Sequence, residues 1–191
     1  MSLFKTAFHP DISPQQLKQT NKDRLLIRHA ARGIVLRGEM ILLLFTQKYH
    51  DYSLPGGGID EGEDKIPALI RELEEETGAQ GVRNIIPFAC YEEYRPWYKD
   101  NADIIHMISH CYLCDIDEKL GETSLEQHEI NNGMTPHWIN IYDAIAHNED
   151  IIKNSDKKGL SIVRETFLLK AIVEKLLEKE GVQTRILNHE S

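Results

Sequence analysis

Glu72, Glu75 and Glu76 stand at i, i+3 and i+4 in a stretch that otherwise reads as helix. On a helix this spacing gathers three carboxylates on one patch of surface about one turn long. Bare carboxylates so close repel one another, at roughly a few tenths of a kcal/mol per pair on an isolated helix. A hard divalent cation removes the conflict, because Mg2+ or Mn2+ prefers oxygen ligands and keeps waters for a phosphate substrate. The chemistry implied is metal-dependent and phosphoryl-directed. The alternative is a solvated acidic face with pairing such as Arg71 to Glu75.

Two elements must position these groups. The first is the loop around Leu54-Pro55-Gly56-Gly57-Gly58, where three consecutive glycines allow a sharp bend and a close backbone approach to a ligand. Gly56, Gly57 and Gly58 are therefore candidate substrate contacts. The second is the helix itself, with Asp64 as N-cap, Pro67 in the first turn and Gly78 as the stop. Ile66, Leu69, Ile70 and Leu73 recur at spacings of three and four, which predicts one buried stripe.

Gly57, five residues, Glu63, seven residues, Arg71-Glu72-Leu73, one residue, Glu75-Glu76, one residue and Gly78-Ala79 together resemble the signature of the Nudix hydrolases at every fixed position. The resemblance implies an α/β/α sandwich with a mixed sheet, and hydrolysis of a nucleoside diphosphate linked to another moiety with Mg2+ or Mn2+. It also implies that Glu72, Glu75 and Glu76 are metal ligands, with Glu72 sometimes serving as base. Glu63 would support the metal site partly through Arg71, and the backbone of Gly57 would add a carbonyl ligand.

Composition agrees with a globular enzyme. The chain has 191 residues, 41% apolar and 28% charged, enough for one domain with terminal decoration. The expected division is an arm over 1–22, a domain over 23–180 that includes a long C-terminal helix, and a tail over 181–191. A net charge of -9 argues against a polynucleotide partner held in a basic groove and leaves room for a small nucleoside diphosphate derivative. The N-terminal residues lack a long apolar segment, and the apolar run Met40 to Phe45 falls far short of the roughly 20 residues that span a bilayer. No membrane association is expected. Three cysteines are too few and too irregular for a disulfide framework, which points to the cytoplasm.

Along the chain, Phe8 to Gln19 reads as a short helical or irregular arm with Ser13-Pro14 as N-cap and first turn. Arg24 to Leu36 and Met40 to Thr46 read as strands, joined by Arg37-Gly38-Glu39 into a hairpin. Arg28 and Arg32 share a strand face and could reach a substrate phosphate or base; the alternative is an ordinary surface role. Gln47 to Ser53 is a polar connection, in which Tyr52 could stack on a base or pack beneath the loop. Val82 to Tyr94 holds one or two strand segments interrupted by Pro87. Trp97 and Tyr98 in the next loop are expected against substrate, a second subunit or each other.

Ile104 to Ile116 is a strand whose His106, His110, Cys111 and Cys114 raise a zinc site. Strand periodicity sends the two cysteines to opposite faces, so packing roles are preferred. Gly121 to Ile130 reads as a mobile acidic segment; the resemblance to the Nudix hydrolases, which often supply a further acidic group from a loop in this general place, implies Glu126 and Glu129 as candidate further ligands or bases, with solvated glutamates as the alternative. His137 to Ile141 is a strand, Ile141 to Asn148 a short helix, and Leu160 to Lys179 a long amphipathic helix that covers the sheet or extends a homodimer interface. The expected activity is hydrolysis of a diphosphate linkage by metal-activated water. The alternative is a catalytically silent nucleotide-binding module on the same fold.

Overall fold

The computed structural model describes residues 3–97 and 102–178; Tyr98, Lys179 at the end of the expected C-terminal helix, and the expected tail beyond Gly181 lie outside the described residues. The chain divides into two compact units, one formed by residues through Ile34 with Pro55–Thr123, the other by Val35–Leu54 with the residues from Ser124 onward. Both combine strands with helices, and the architecture is mixed α/β.

The first unit is built on a four-stranded mixed sheet. Its strands are β1 (Leu3–Phe8), β2 (Leu25–Ile34), β6 (Arg83–Pro96) and β7 (Ile104–Asp115), in the order β1-β6-β7-β2. β6 and β7 run antiparallel, and β1 and β2 are added parallel at the two sides. Residues 3–8, expected only as part of an N-terminal arm, thus supply a strand, and helix α1 (Pro14–Gln19) forms within the stretch read as helical or irregular. α1 begins as its sequence predicts, with Ser13 Oγ accepting from the Gln16 N–H at 3.0 Å. Pro87 does not split β6 in two. The strand absorbs it beside register shifts between Arg83 and Ile86 and between Pro87 and Ala89, the kind of irregularity at which proline is tolerated in a sheet.

Helix α2 (Lys65–Thr77) belongs to this unit. Asp64 takes the N-cap position with extended backbone, but its side chain makes no capping bond. Leu69 and Leu73 are fully buried, each contributing about 1.5–3 kcal/mol relative to exposure. Ile66, expected in the same stripe, is 37% exposed. The buried arc is rotated toward Ala68, Glu72 and Glu76, so two carboxylates lie at the edge of the apolar seam rather than opposite it. Gly33 on β2 lets the helix approach, since a Cβ there would lie 2.8 Å from Leu73 Cδ2.

The second unit holds β3 (Leu36–Arg37), β4 (Met40–Thr46), β5 (Asp51–Ser53) and β8 (Met134–Asn140), all antiparallel about β4. The expected hairpin between the two long strands is not formed. The turn at Gly38 joins β4 to the two-residue β3, and β2 pairs with β7 instead. Ile41 through Leu44 are all buried, as a central strand covered on both faces requires. The polar connection after β4 ends in β5, and the acidic loop after residue 121 contains a helix, α3 (Gln127–Asn132). Helices α4 (Ile141–Asn154) and α5 (Ile162–Ile172) complete the unit, α5 continuing as a π-helical turn over Val173–Leu177. Leu168, Leu169 and Ile172 on α5 are completely buried. Among the described residues no helix is long and apolar enough to cross a membrane.

Candidate active site

The glycine loop is fixed by backbone bonds along the edge of β2. Gly33 N–H donates to the Pro55 carbonyl at 2.9 Å, Ala31 N–H to Gly57 at 3.0 Å, and Ile59 N–H to the His29 carbonyl at 3.0 Å. The loop is therefore a short added edge, not a free flap. Gly56 has φ +130°, and a Cβ there would fall 2.1 Å from the Ala31 carbonyl oxygen. A side chain cannot be accommodated without moving backbone. Gly56→Ala is expected to lose about 1–3 kcal/mol through strain alone and more through loop displacement, read as a lowered thermal midpoint. A midpoint equal to that of the native chain would show that the loop is not held this way.

The loop and α2 meet through the carboxylates. Gly56 N–H donates to Glu76 Oε2, and a Cβ on Gly57 would fall 2.4 Å from Glu72 Oε2. Glu72 and Glu76 are 9% and 5% exposed, whereas the Glu75 side chain is 40% exposed. Arg71 organises the group. Its guanidinium donates to Glu63 at 2.9 and 3.0 Å, to Glu72 at 2.7 Å, to Glu75 at 3.3 Å and to the Gly58 carbonyl at 3.1 Å. The hydrogen bonds with Glu63 keep Arg71 firmly protonated, and in turn hold the Glu63 carboxyl below the usual range.

One guanidinium cannot balance the carboxylates around it, and the remaining donors are hard oxygens. The set fits a divalent cation in chemistry and charge. Among the described residues no three ligand-type side chains already stand as a metal cage. Arg71 is inserted among them, and a cage would require it to release Glu72 and Glu75 while keeping Glu63. The Gly57 carbonyl accepts from Ala31 and retains its second lone pair.

Arg28 and Arg32 on β2 both reach the loop. Arg32 Nη1 donates to the Gly56 carbonyl at 3.0 Å, and Arg28 Nη2 lies 3.1 Å from where a Gly58 Cβ would be. Arg28 also lines a cavity of about 470 Å3 with Ile27, His29, Ile59, Glu63 and Lys65. That volume is in the range of small-molecule sites.

Three other candidates lie in the second unit. The Tyr52 ring packs on Phe45 and His147, with centroids 5.0 and 5.1 Å away. Glu126 and Glu129 open α3, where the Glu126 N–H donates to the Glu129 carboxylate at 2.7 Å and Glu126 pairs with His128 at 3.0 Å. In the first unit His106 pairs with Glu92 at 3.0 Å and His110 with His29 at 3.1 Å, while Cys111 and Cys114 are buried.

Glu165, unexpected from the sequence, is a completely buried carboxylate on α5 whose Oε2 accepts the Leu54 N–H at 3.0 Å. A signal was present: Glu165 falls three residues after Ile162 and three before Leu168, inside the apolar stripe. A charge in that stripe must be paired.

The model of the NUDIX domain matches residues 27–157. Among curated proteins, the chain is 43% identical over 53 residues to an RNA pyrophosphohydrolase of Bartonella quintana, covering 28% of this chain and 27% of the relative. It is 50% identical over 62 residues to an RNA pyrophosphohydrolase of Bartonella henselae, covering 32% and 36%. These matches span about a quarter to a third of the relatives' length. A solved Nudix hydrolase from Nitrosomonas europaea superposes with a TM-score of 0.51 at 14% identity, over 75% of this chain and 87% of that one, and bears on the fold alone. With the signature residues assembled on loop and helix, and the domain match covering most of the chain, this protein belongs to the Nudix family.

Proposed function

We propose that the chain hydrolyses a diphosphate linkage in a nucleoside diphosphate derivative with the help of a divalent cation. The observation that carries the reading is the meeting of Gly56 and Gly57 with Glu76 and Glu72, beside Glu75 and Arg71. Glu72, Glu75, Glu76 and the Gly57 carbonyl are the groups that would hold Mg2+ or Mn2+. Such a cation, when bound, neutralises phosphate charge and makes a water more acidic. Arg28 and Arg32 supply cationic donors for phosphate oxygens at the loop. Glu63 holds Arg71 in place, and a carboxylate of the cluster accepts the proton of the attacking water. The cavity beside Arg28 gives room for the rest of the substrate.

A second reading takes the diphosphate bond at the triphosphorylated 5′ end of an RNA. It is favoured by the description of the matched relatives as RNA pyrophosphohydrolases, and opposed by the net charge of -9.

The deciding experiment measures phosphate, pyrophosphate or nucleoside monophosphate release from nucleoside triphosphates, nucleotide sugars, ADP-ribose, dinucleoside polyphosphates and a 5′-triphosphorylated oligoribonucleotide, with Mg2+ and with EDTA. Cleavage of one class, lost in EDTA, is the expected result. A silent binding module would instead gain thermal stability from nucleotide and release nothing.

A further inference from the structure

We infer that Glu165 is a positioning residue for the glycine loop, acting from outside the signature through the backbone of Leu54. The inference rests on the hydrolase reading above. Glu165 uses its two oxygens differently. Oε1 accepts from Arg164 at 2.7 and 3.0 Å, and Oε2 accepts the Leu54 N–H at 3.0 Å. Arg164 and Glu165 are 3% and 0% exposed. A buried ion pair of this kind is a poor stabilising device, since apolar residues of similar volume often serve as well or better. What an apolar residue cannot do is accept the Leu54 N–H.

Leu54 is fully buried and is followed directly by Pro55 and Gly56. Pro55 has a fixed φ and no N–H of its own. Over three consecutive residues the backbone is thus held by a carboxylate at Leu54, a carbonyl bond at Pro55 and a second carboxylate, Glu76, at Gly56. Glu76 is one of the groups expected to hold the cation. A shift of Leu54 is passed through one stiff residue to the N–H that orients Glu76. Asp51, four residues before Pro55, is acted on by the charge of Glu165 and, in the opposite sense, by that of His147.

The test compares the full-length chain with Glu165→Gln, which keeps size but loses charge, and Glu165→Asp, which keeps charge but is too short to meet both partners. Three readouts are taken: amide exchange at Leu54 and Gly56, Mn2+ affinity by electron paramagnetic resonance, and kcat and KM on the member of the nucleotide panel that the wild-type chain cleaves. The expected result is faster exchange at both amides, with Mn2+ affinity and kcat each lowered about 10–100-fold and KM little changed. Unchanged exchange at Gly56, or unchanged Mn2+ affinity, in a folded variant overturns the inference. In the wild-type chain, Mn2+ must slow exchange at Leu54 together with Gly56, and a change confined to Gly56 overturns it even if neither variant folds. Absence of turnover in the wild type counts against the hydrolase reading, while the exchange data still judge the role of Glu165.

Discussion

Glu76→Gln is expected to abolish catalysis while leaving the fold standing. The residue is 5% exposed and accepts the Gly56 N–H, a bond that the glutamine carbonyl can still accept. Shape and acceptor are kept, and one negative charge is removed from the cluster. A hard divalent cation is held by such charges, so affinity for Mn2+ and turnover are expected to fall together by at least about 100-fold. The native chain should gain about 2.7 kcal/mol from a cation at one hundred times its dissociation constant, and this gain should vanish in the variant. Glu75→Gln is expected to behave likewise with less effect on the apo fold, because its side chain is already 40% exposed. Turnover at the native rate with the cation-induced stabilisation intact would remove Glu76 from the site.

In the arrangement described, Arg71 bridges Glu63, Glu72 and Glu75. It serves as the cation among the carboxylates, which lets the helix form without a metal. The bonds to Glu63 and Gly58 give it somewhere to stay when Glu72 and Glu75 change partner.

The candidate site's arrangement was legible in the sequence because its pieces are local. Gly56, Gly57, Glu72 and Glu76 lie within 21 residues, and helical periodicity alone brings the glutamates together. The alternation that put Arg28 and Arg32 on one face was equally local, and both reach the loop. Pairing between distant segments was not legible. Nothing in Leu25–Ile34 says that it will run parallel to a strand some eighty residues later, and the turn at Gly38 suggested a nearer partner. The strand Leu3–Phe8 was missed for the same reason, since an edge strand with exposed Phe4 and Phe8 lacks the burial that makes alternation readable. Ile66 failed because the helix buries an arc set by Gly33 and Leu73, a tertiary contact that shifts the seam. Asp51 and Glu165 were hidden because a buried carboxylate looks like a surface one until its neighbours are known.

Asp51 carries the second large expectation. It is 4% exposed, and its carboxyl is pushed up to about 6, first by burial and then by the charge of Glu165, against the opposing effects of its own N–H and His147. The unfolded chain releases this proton near 3.8. Between those two values the folded state holds a proton that the unfolded state has lost, so stability falls as pH rises and levels off above about 6. A shift from 3.8 to about 6 corresponds to a ceiling of about 3 kcal/mol, which water penetration and local relaxation reduce. Asp51→Asn removes the ionisation and keeps the size. The variant should match the native chain near pH 4 and exceed it by about 1–3 kcal/mol at pH 7.5, raising the thermal midpoint by several degrees. Urea midpoints for both chains at several pH values between 4 and 8 give the difference directly, free of the other carboxylates they share. A gap that does not change with pH, or a variant less stable at pH 7.5, would mean that Asp51 is ionised at no cost in the folded protein. The predicted gap instead makes Asp51 a carboxylate kept beside Glu165 at the expense of stability, in the run of chain that leads into the glycine loop.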